Sequence, residues 1–173
     1  MINKLLTIAI LIFMSLMATA QEQIKLGSNV LLELPSNAVK YIDTAIANSL
    51  AKIDQSKAPA DKSLLNRYRY KVGNAKYLFF PPGKVSDKPT MNRFTTLTVT
   101  NPKRIIKSDS RKINDNFITT NYAEGSTGSI FRFVCYNEKQ NMSFRGFITF
   151  PTNEKTKTLK EINSLLENVK FLN

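Results

Sequence analysis

The side chains with the clearest chemical potential in this chain are cations. Lys103, Arg104, Lys107, Arg111 and Lys112 fall within ten residues and are opposed there only by Asp109. A second set, Arg67, Arg69 and Lys71, alternates with Tyr68, Tyr70 and Val72. On a strand that alternation puts the cations on one face and the apolar residues on the other. Such groups bind carboxylate, phosphate or sulfate through charge-assisted hydrogen bonds. Like charges at alternate positions repel, and an acidic partner or counter-ion relieves the repulsion. Lys and Arg also guard exposed sheet edges against aggregation, so an edge function competes with a binding function. The density and alternation predict that the two segments form one anion-facing surface.

Catalysis has little to work with. The chain has no His and a single Cys, so Ser-His and Cys-His nucleophile pairs cannot be assembled, nor can the common Zn, Cu and haem ligand sets. No cofactor and no metal is expected. There is no G-x-S-x-G elbow, Walker loop or dinucleotide glycine fingerprint. The 13 acidic residues are scattered singly, which disfavours a paired-carboxylate mechanism. Ser49-Leu-Ala-Lys52 has the S-x-x-K spacing of serine acyltransferases, yet Ser108-Asp-Ser110 is not S-D-N and no K-T-G occurs. Phe131-Arg-Phe-Val-Cys-Tyr136 and Arg145-Gly-Phe-Ile-Thr-Phe150 echo the aromatic strand of RNA-binding domains, but the glycine-aromatic spacing is incomplete in both. Core packing of alternating aromatics accounts for them, and nucleic acid is set aside as a partner. The expectation is a protein that is not an enzyme.

The first 20 residues read as an address. Lys4 is followed by an almost unbroken apolar run from Leu5 to Met17, and Ala18-Thr19-Ala20 supplies the small residues of a signal-peptidase site. Cleavage after Ala20 is expected, giving a periplasmic or secreted protein of residues 21–173. The apolar run is short for a bilayer span and no second one follows, so no transmembrane segment is expected in the mature chain. Of the formal +12 charge, this segment holds only Lys4. The lone Cys135 rules out an intramolecular disulfide and, lying in an apolar run, reads as a buried small hydrophobe.

Residues 21–173 suit one domain, and 42% hydrophobic residues with 11 Phe and 6 Tyr can fill its core. A first strand is expected over residues 24–34. Ser36 then reads as an N-cap, and Val39, Ile42, Ile46, Leu50 and Ile53 recur at helical spacing. Gly73-Asn74 marks a hairpin between strands that end at Val72 and begin at Ala75. A strand is expected over 93–100, and a meander over 117–122, 129–136 and 143–150. After Pro151, Thr158 and Glu161 suggest a capping box, with Leu159, Ile162, Leu165, Leu166 and Val169 as the buried stripe of a last helix.

This order predicts an α+β fold: a twisted antiparallel sheet covered by a helix in the N-terminal half and a C-terminal helix. The run from Phe144 to Phe150, the break at Pro151 and the helical stripe ending in Asn168-Val-Lys-Phe171 resemble the PsbP-like superfamily, which includes bacterial DcrB-type proteins. The resemblance covers the last third of the chain, and the rest by element order. It implies a small binding or assembly-accessory protein without a shared catalytic centre, so it supplies no functional residues. The expected function is that of an exported, non-catalytic accessory protein of the bacterial envelope, with an acidic protein or anionic envelope component as partner. An immunity or inhibitor protein against an exported toxin or hydrolase is the second reading, and a small envelope hydrolase the third.

Overall fold

The structure is a computed structural model that describes residues 22–41, 68–85, 105–125 and 128–172. Strand makes up 58% of it and helix 16%, so the architecture is mostly β. The chain opens with a hairpin, β1 (Glu22–Leu26) and β2 (Val30–Leu34), paired antiparallel across a turn at Gly27. Gly27 takes φ +60°, in the left-handed region glycine enters without steric cost. Next come β3 (Val39–Lys40), β4 (Arg69–Val72), β5 (Ala75–Phe79) and β6 (Gly83–Lys84). Four nine-residue strands follow: β7 (Ile105–Ile113), β8 (Asn116–Glu124), β9 (Ser129–Asn137) and β10 (Met142–Phe150). A 3-10 turn at Thr152–Glu154 leads into helix α1 (Lys155–Glu167), and β11 (Lys170–Phe171) ends the described chain.

The strands form two sheets. A small one has the order β1-β2-β11; the large one runs β3-β4-β5-β10-β9-β8-β7, with β6 paired to β10. Directly opposed residues of antiparallel strands share a face, so the register fixes which side chains look inward. On β9 these are Phe131, Phe133 and Cys135; on β10, Phe144, Ile148 and Phe150. They join Tyr77 and Phe79 of β5, Leu32 and Leu34 of β2, and Ile162, Leu165 and Leu166 of α1 in one buried cluster. The helix and the small sheet thus contribute to the core on the inner side of the large sheet. Cys135 is fully buried with a free thiol, and burial pushes its pKa up to about 12. Two buried asparagines pair inside: Asn137 Nδ2 donates to Asn116 Oδ1 at 2.8 Å, and Asn116 Nδ2 donates to the Val169 carbonyl at 3.2 Å.

Several expectations are corrected. The α+β class with a helix in the N-terminal half gives way to a mostly-β fold whose described residues hold one α-helix, of 13 residues. Where that first helix was to begin, the chain is extended instead: Val39 and Lys40 pair with Lys71 and Tyr70. Pairing with a neighbouring strand outweighs the local helical spacing there; residues 42–53 lie outside the described chain. The single strand expected over 24–34 is a hairpin, because Gly27-Ser28-Asn29 is a turn. Helix α1 starts three residues before Thr158, which is buried at 1% exposure and cannot act as its cap. The 3-10 turn after Pro151 launches the helix, and the N-cap residue Glu154 makes no side-chain capping hydrogen bond. Gly73 takes φ +58° between β4 and β5, as the hairpin signal requires. The expected strand over 93–100 lies outside the described residues.

Candidate functional site

The strand order separates the two basic segments. Strand β7 is one edge of the large sheet and β4 lies next to β3 at the other, with β5, β10, β9 and β8 between them. At about 4.8 Å per strand step, roughly 24 Å divides them. Arg67, Lys103 and Arg104 lie outside the described residues. The remaining members split further. Lys107 and Arg111 pair with Tyr122 and Ile118, two inward-facing residues, so both cations lie on the helix side of β7. Arg111 Nη2 donates to Asn163 Oδ1 of α1 at 2.8 Å. Lys112 turns the other way: its Nζ is 4.8 Å from the Phe117 ring centroid and 4.0 Å from Glu138. Arg69 is only 2% exposed and is removed from any partner surface. Burying a charge requires local compensation, which makes Arg69 part of the architecture.

What the register brings together is the outer face of the large sheet. One cross-strand row runs Arg69, Leu78, Phe147, Arg132, Asn121, Ser108. Beside it, Arg145, Val134, Thr119 and Ser110 form a second. Lys71, Lys76, Thr149, Ile130 and Ala123 make a third, with Lys71 directly opposite Lys76. The fourth is Ser143, Tyr136, Phe117, Lys112. Across these rows the charged residues are Arg69, Lys71, Lys76, Lys112, Arg132 and Arg145, and no Asp or Glu occupies an outer position of β4, β5 or β7 to β10.

Aromatic rings hold the centre of this face in place. Phe80 and Phe147 meet edge-on with centroids 5.1 Å apart. The Arg145 guanidinium lies 4.7 Å over the Phe80 ring, and the Phe80 amide donates to the Arg145 carbonyl at 2.9 Å. A guanidinium stacked on a ring keeps its fork of donors in one plane. Sequence reasoning missed Lys76, Arg132 and Arg145, because each stands alone in the sequence and only pairing gathers them. The alternation of Arg132 with the inward Phe131 and Phe133, and of Arg145 with the inward Phe144, was the signal available.

The inner side carries a separate polar cluster. Lys155 Nζ donates to Glu124 Oε2 at 2.5 Å, and the Tyr122 hydroxyl donates to the same oxygen at 2.8 Å. Ser129 Oγ lies 3.2 Å from that hydroxyl, and Thr152 Oγ1 donates to the Gly125 carbonyl at 2.9 Å. Together they tie the start of α1 to the β8–β9 turn. The Lys155 hydrogen bond, reinforced by that of Tyr122, holds the Glu124 carboxyl below its usual value. Burial, with the Glu124 charge, raises the Tyr122 hydroxyl. Since the folded carboxyl is depressed, its contribution is present above the ordinary carboxylate range and fades as the pH falls through the lower folded value. Glu124→Gln is therefore expected to destabilise the protein at neutral pH and to flatten its loss of stability below about pH 4. Urea melts of both proteins at pH 7 and pH 3 check this; parallel pH profiles would refute the clamp. A groove of about 680 Å3 lies along α1, lined by Lys155, Thr156, Leu159, Lys160, Asn163 and Glu167.

No helix among the described residues is long and apolar enough to cross a membrane. No protein-family model matches the chain, and no curated protein does.

Proposed function

We propose that this protein is an exported, non-catalytic binding protein of the bacterial envelope whose partner is anionic. The observation that carries this reading is the sign of the outer sheet face. Its described positions hold Lys71, Lys76, Lys112, Arg132 and Arg145 outside the buried Arg69, without an acid among them. The formal charge of +12 gives the whole molecule a field that speeds encounter with such a partner. The resemblance of the C-terminal third to the PsbP-like superfamily, with its small accessory proteins, belongs to the same reading. An immunity or inhibitor protein against an exported toxin or hydrolase is a special case, in which the anionic partner is a single protein.

Three polyanion probes test the reading: poly-glutamate, heparin and vesicles containing phosphatidylglycerol. At low ionic strength at least one should bind, and raising salt should weaken it. The variant Lys71→Glu/Lys112→Glu/Arg132→Glu/Arg145→Glu should lose about tenfold or more in affinity, ~1.4 kcal/mol. Its circular dichroism and melting curve should match the parent's. Failure of every probe, or equal binding by the reversed variant, would sink the proposal.

A further inference from the structure

We infer that the edge strand β7 is a docking site, and that it takes an extended acidic peptide of a partner protein as the next strand of the large sheet. The inference rests on the anionic-partner reading above and adds where that partner binds and in what conformation.

Strand β7 (Ile105–Ile113) pairs with β8 on one side, and among the described residues no strand lies on the other. The other terminal strands are shorter: β3 and β11 have two residues each and β1 has five. In an antiparallel ladder, alternate residues turn both backbone groups towards the partner strand and those between turn them away. The two-residue turn Asn114-Asp115 closes on the Ile113–Asn116 pair. The Asp109 carbonyl also faces β8, where it accepts from Thr120 Oγ1 at 3.5 Å. The odd-numbered residues of β7 therefore bond to β8, and Ile106, Ser108, Ser110 and Lys112 present their N–H and C=O groups outward. Lys107, Ser108, Asp109 and Ser110 are all exposed, although successive residues lie on opposite faces, so neither face of this stretch is covered.

An unpaired row of backbone donors and acceptors is a template for another strand, and it matches a polypeptide backbone in spacing as no glycan or lipid headgroup does. Proline, a bulge or shortness commonly closes such an edge. Strand β7 has no proline, and its register with β8 runs without a bulge through nine consecutive pairs. Its remaining guard is charge: Lys107, Arg111 and Lys112 against Asp109. That guard repels a second copy of this chain, whose formal charge is +12, and admits an acidic strand. The docking asks nothing of Arg111 or Lys112, whose side chains meet Asn163 and Phe117 on their own molecule. It uses the backbone of the edge and the exposed Lys107.

The test takes the exported chain, residues 21–173, and a capped nine-residue peptide of alternating Thr and Glu, with binding followed by fluorescence anisotropy at low ionic strength. The peptide should bind saturably. The same peptide N-methylated at Thr and Glu positions alike keeps its charge but loses donors on both edges, and should bind about tenfold more weakly or worse. A peptide with Lys in place of Glu should not bind. Ser108→Pro and Ser110→Pro each remove one outward N–H and should weaken binding by about tenfold, whereas Ser108→Ala and Ser110→Ala keep it and should bind like the parent. Lys107→Glu should weaken binding by about threefold or more. Circular dichroism and melting curves check the fold of each variant, and the methylated peptide tests the unaltered protein. Equal binding of the methylated and parent peptides would overturn the inference and leave the anionic reading standing. So would a concentration-dependent dimer that Ser108→Pro dissociates, which would assign the edge to a second copy of this chain. Silence of the peptide while heparin, poly-glutamate or phosphatidylglycerol vesicles bind would overturn the inference alone. Silence from every probe would overturn both.

Discussion

Phe133→Ala is expected to reduce the unfolding free energy by about 3–5 kcal/mol, the range for deleting a buried aromatic side chain. The Phe133 ring is 1% exposed in the middle of the central strand β9. It lies 6.3 Å from the Phe79 ring and meets Phe144 edge-on at 5.5 Å. Phe144 in turn touches Phe171 at 5.9 Å, on the short strand that returns to the small sheet. Removing Phe133 therefore opens a cavity where the large sheet, the terminal strand and the core cluster meet. The walls are long paired strands and cannot collapse into the space, which places the cost well above that of water transfer alone. Guanidinium denaturation of parent and variant gives the number directly. A loss below about 1 kcal/mol would mean that the aromatic cluster is not packed as described.

Gly146→Ala should destabilise by about 1–3 kcal/mol or more, although it adds only one methyl group. A Cβ at Gly146 would lie 2.8 Å from two carbons of the Phe133 ring and 2.9 Å from the Leu78 carbonyl oxygen. The ring can turn aside at the expense of its neighbours. The carbonyl cannot, because it belongs to β5, whose Phe79 stands opposite Gly146 in the ladder. Glycine here serves close approach of strand and ring, since its backbone needs no left-handed angle. The two substitutions are coupled. In Phe133→Ala/Gly146→Ala the ring is gone, the clash with Leu78 remains, and the loss should fall short of the sum of the singles by about 0.5–3 kcal/mol. Strict additivity in denaturant melts would show that ring and glycine do not touch.

Much of this fold was legible locally. Gly73-Asn74 announced the β4–β5 hairpin, and the period-two aromatics announced the meander of β8, β9 and β10 within one or two residues. The stripe Ile162, Leu165, Leu166 gave the buried face of α1. These signals are short-range, arising from turn chemistry and from the alternation a strand imposes. The strand β7 was hidden under its own charges: Lys107, Arg111 and Lys112 read as a basic cluster because an edge strand tolerates polar residues on both faces. The helix start at Lys155 was obscured by the Thr158–Glu161 pair, whose capping spacing is satisfied by a threonine facing the core.

The cationic character of the candidate surface is read from composition, whereas its membership is not. An excess of cations, the absence of His and a single Cys follow from composition, and with them the leaning towards anion binding over catalysis. Which cations share a face follows from pairing between residues far apart in the chain. Strand order put four strands between β4 and β7, dividing the two basic segments. The register of β10 against β5 and β9 brought Arg145, Arg132, Phe147 and Phe80 to its centre. A strand's alternation assigns each side chain to one of two faces but is silent about its neighbours across the ladder. Those neighbours are chosen by long-range pairing and by the core it buries, so the sequence determined the charge and chemistry of this surface, and the tertiary structure decided its membership and its shape.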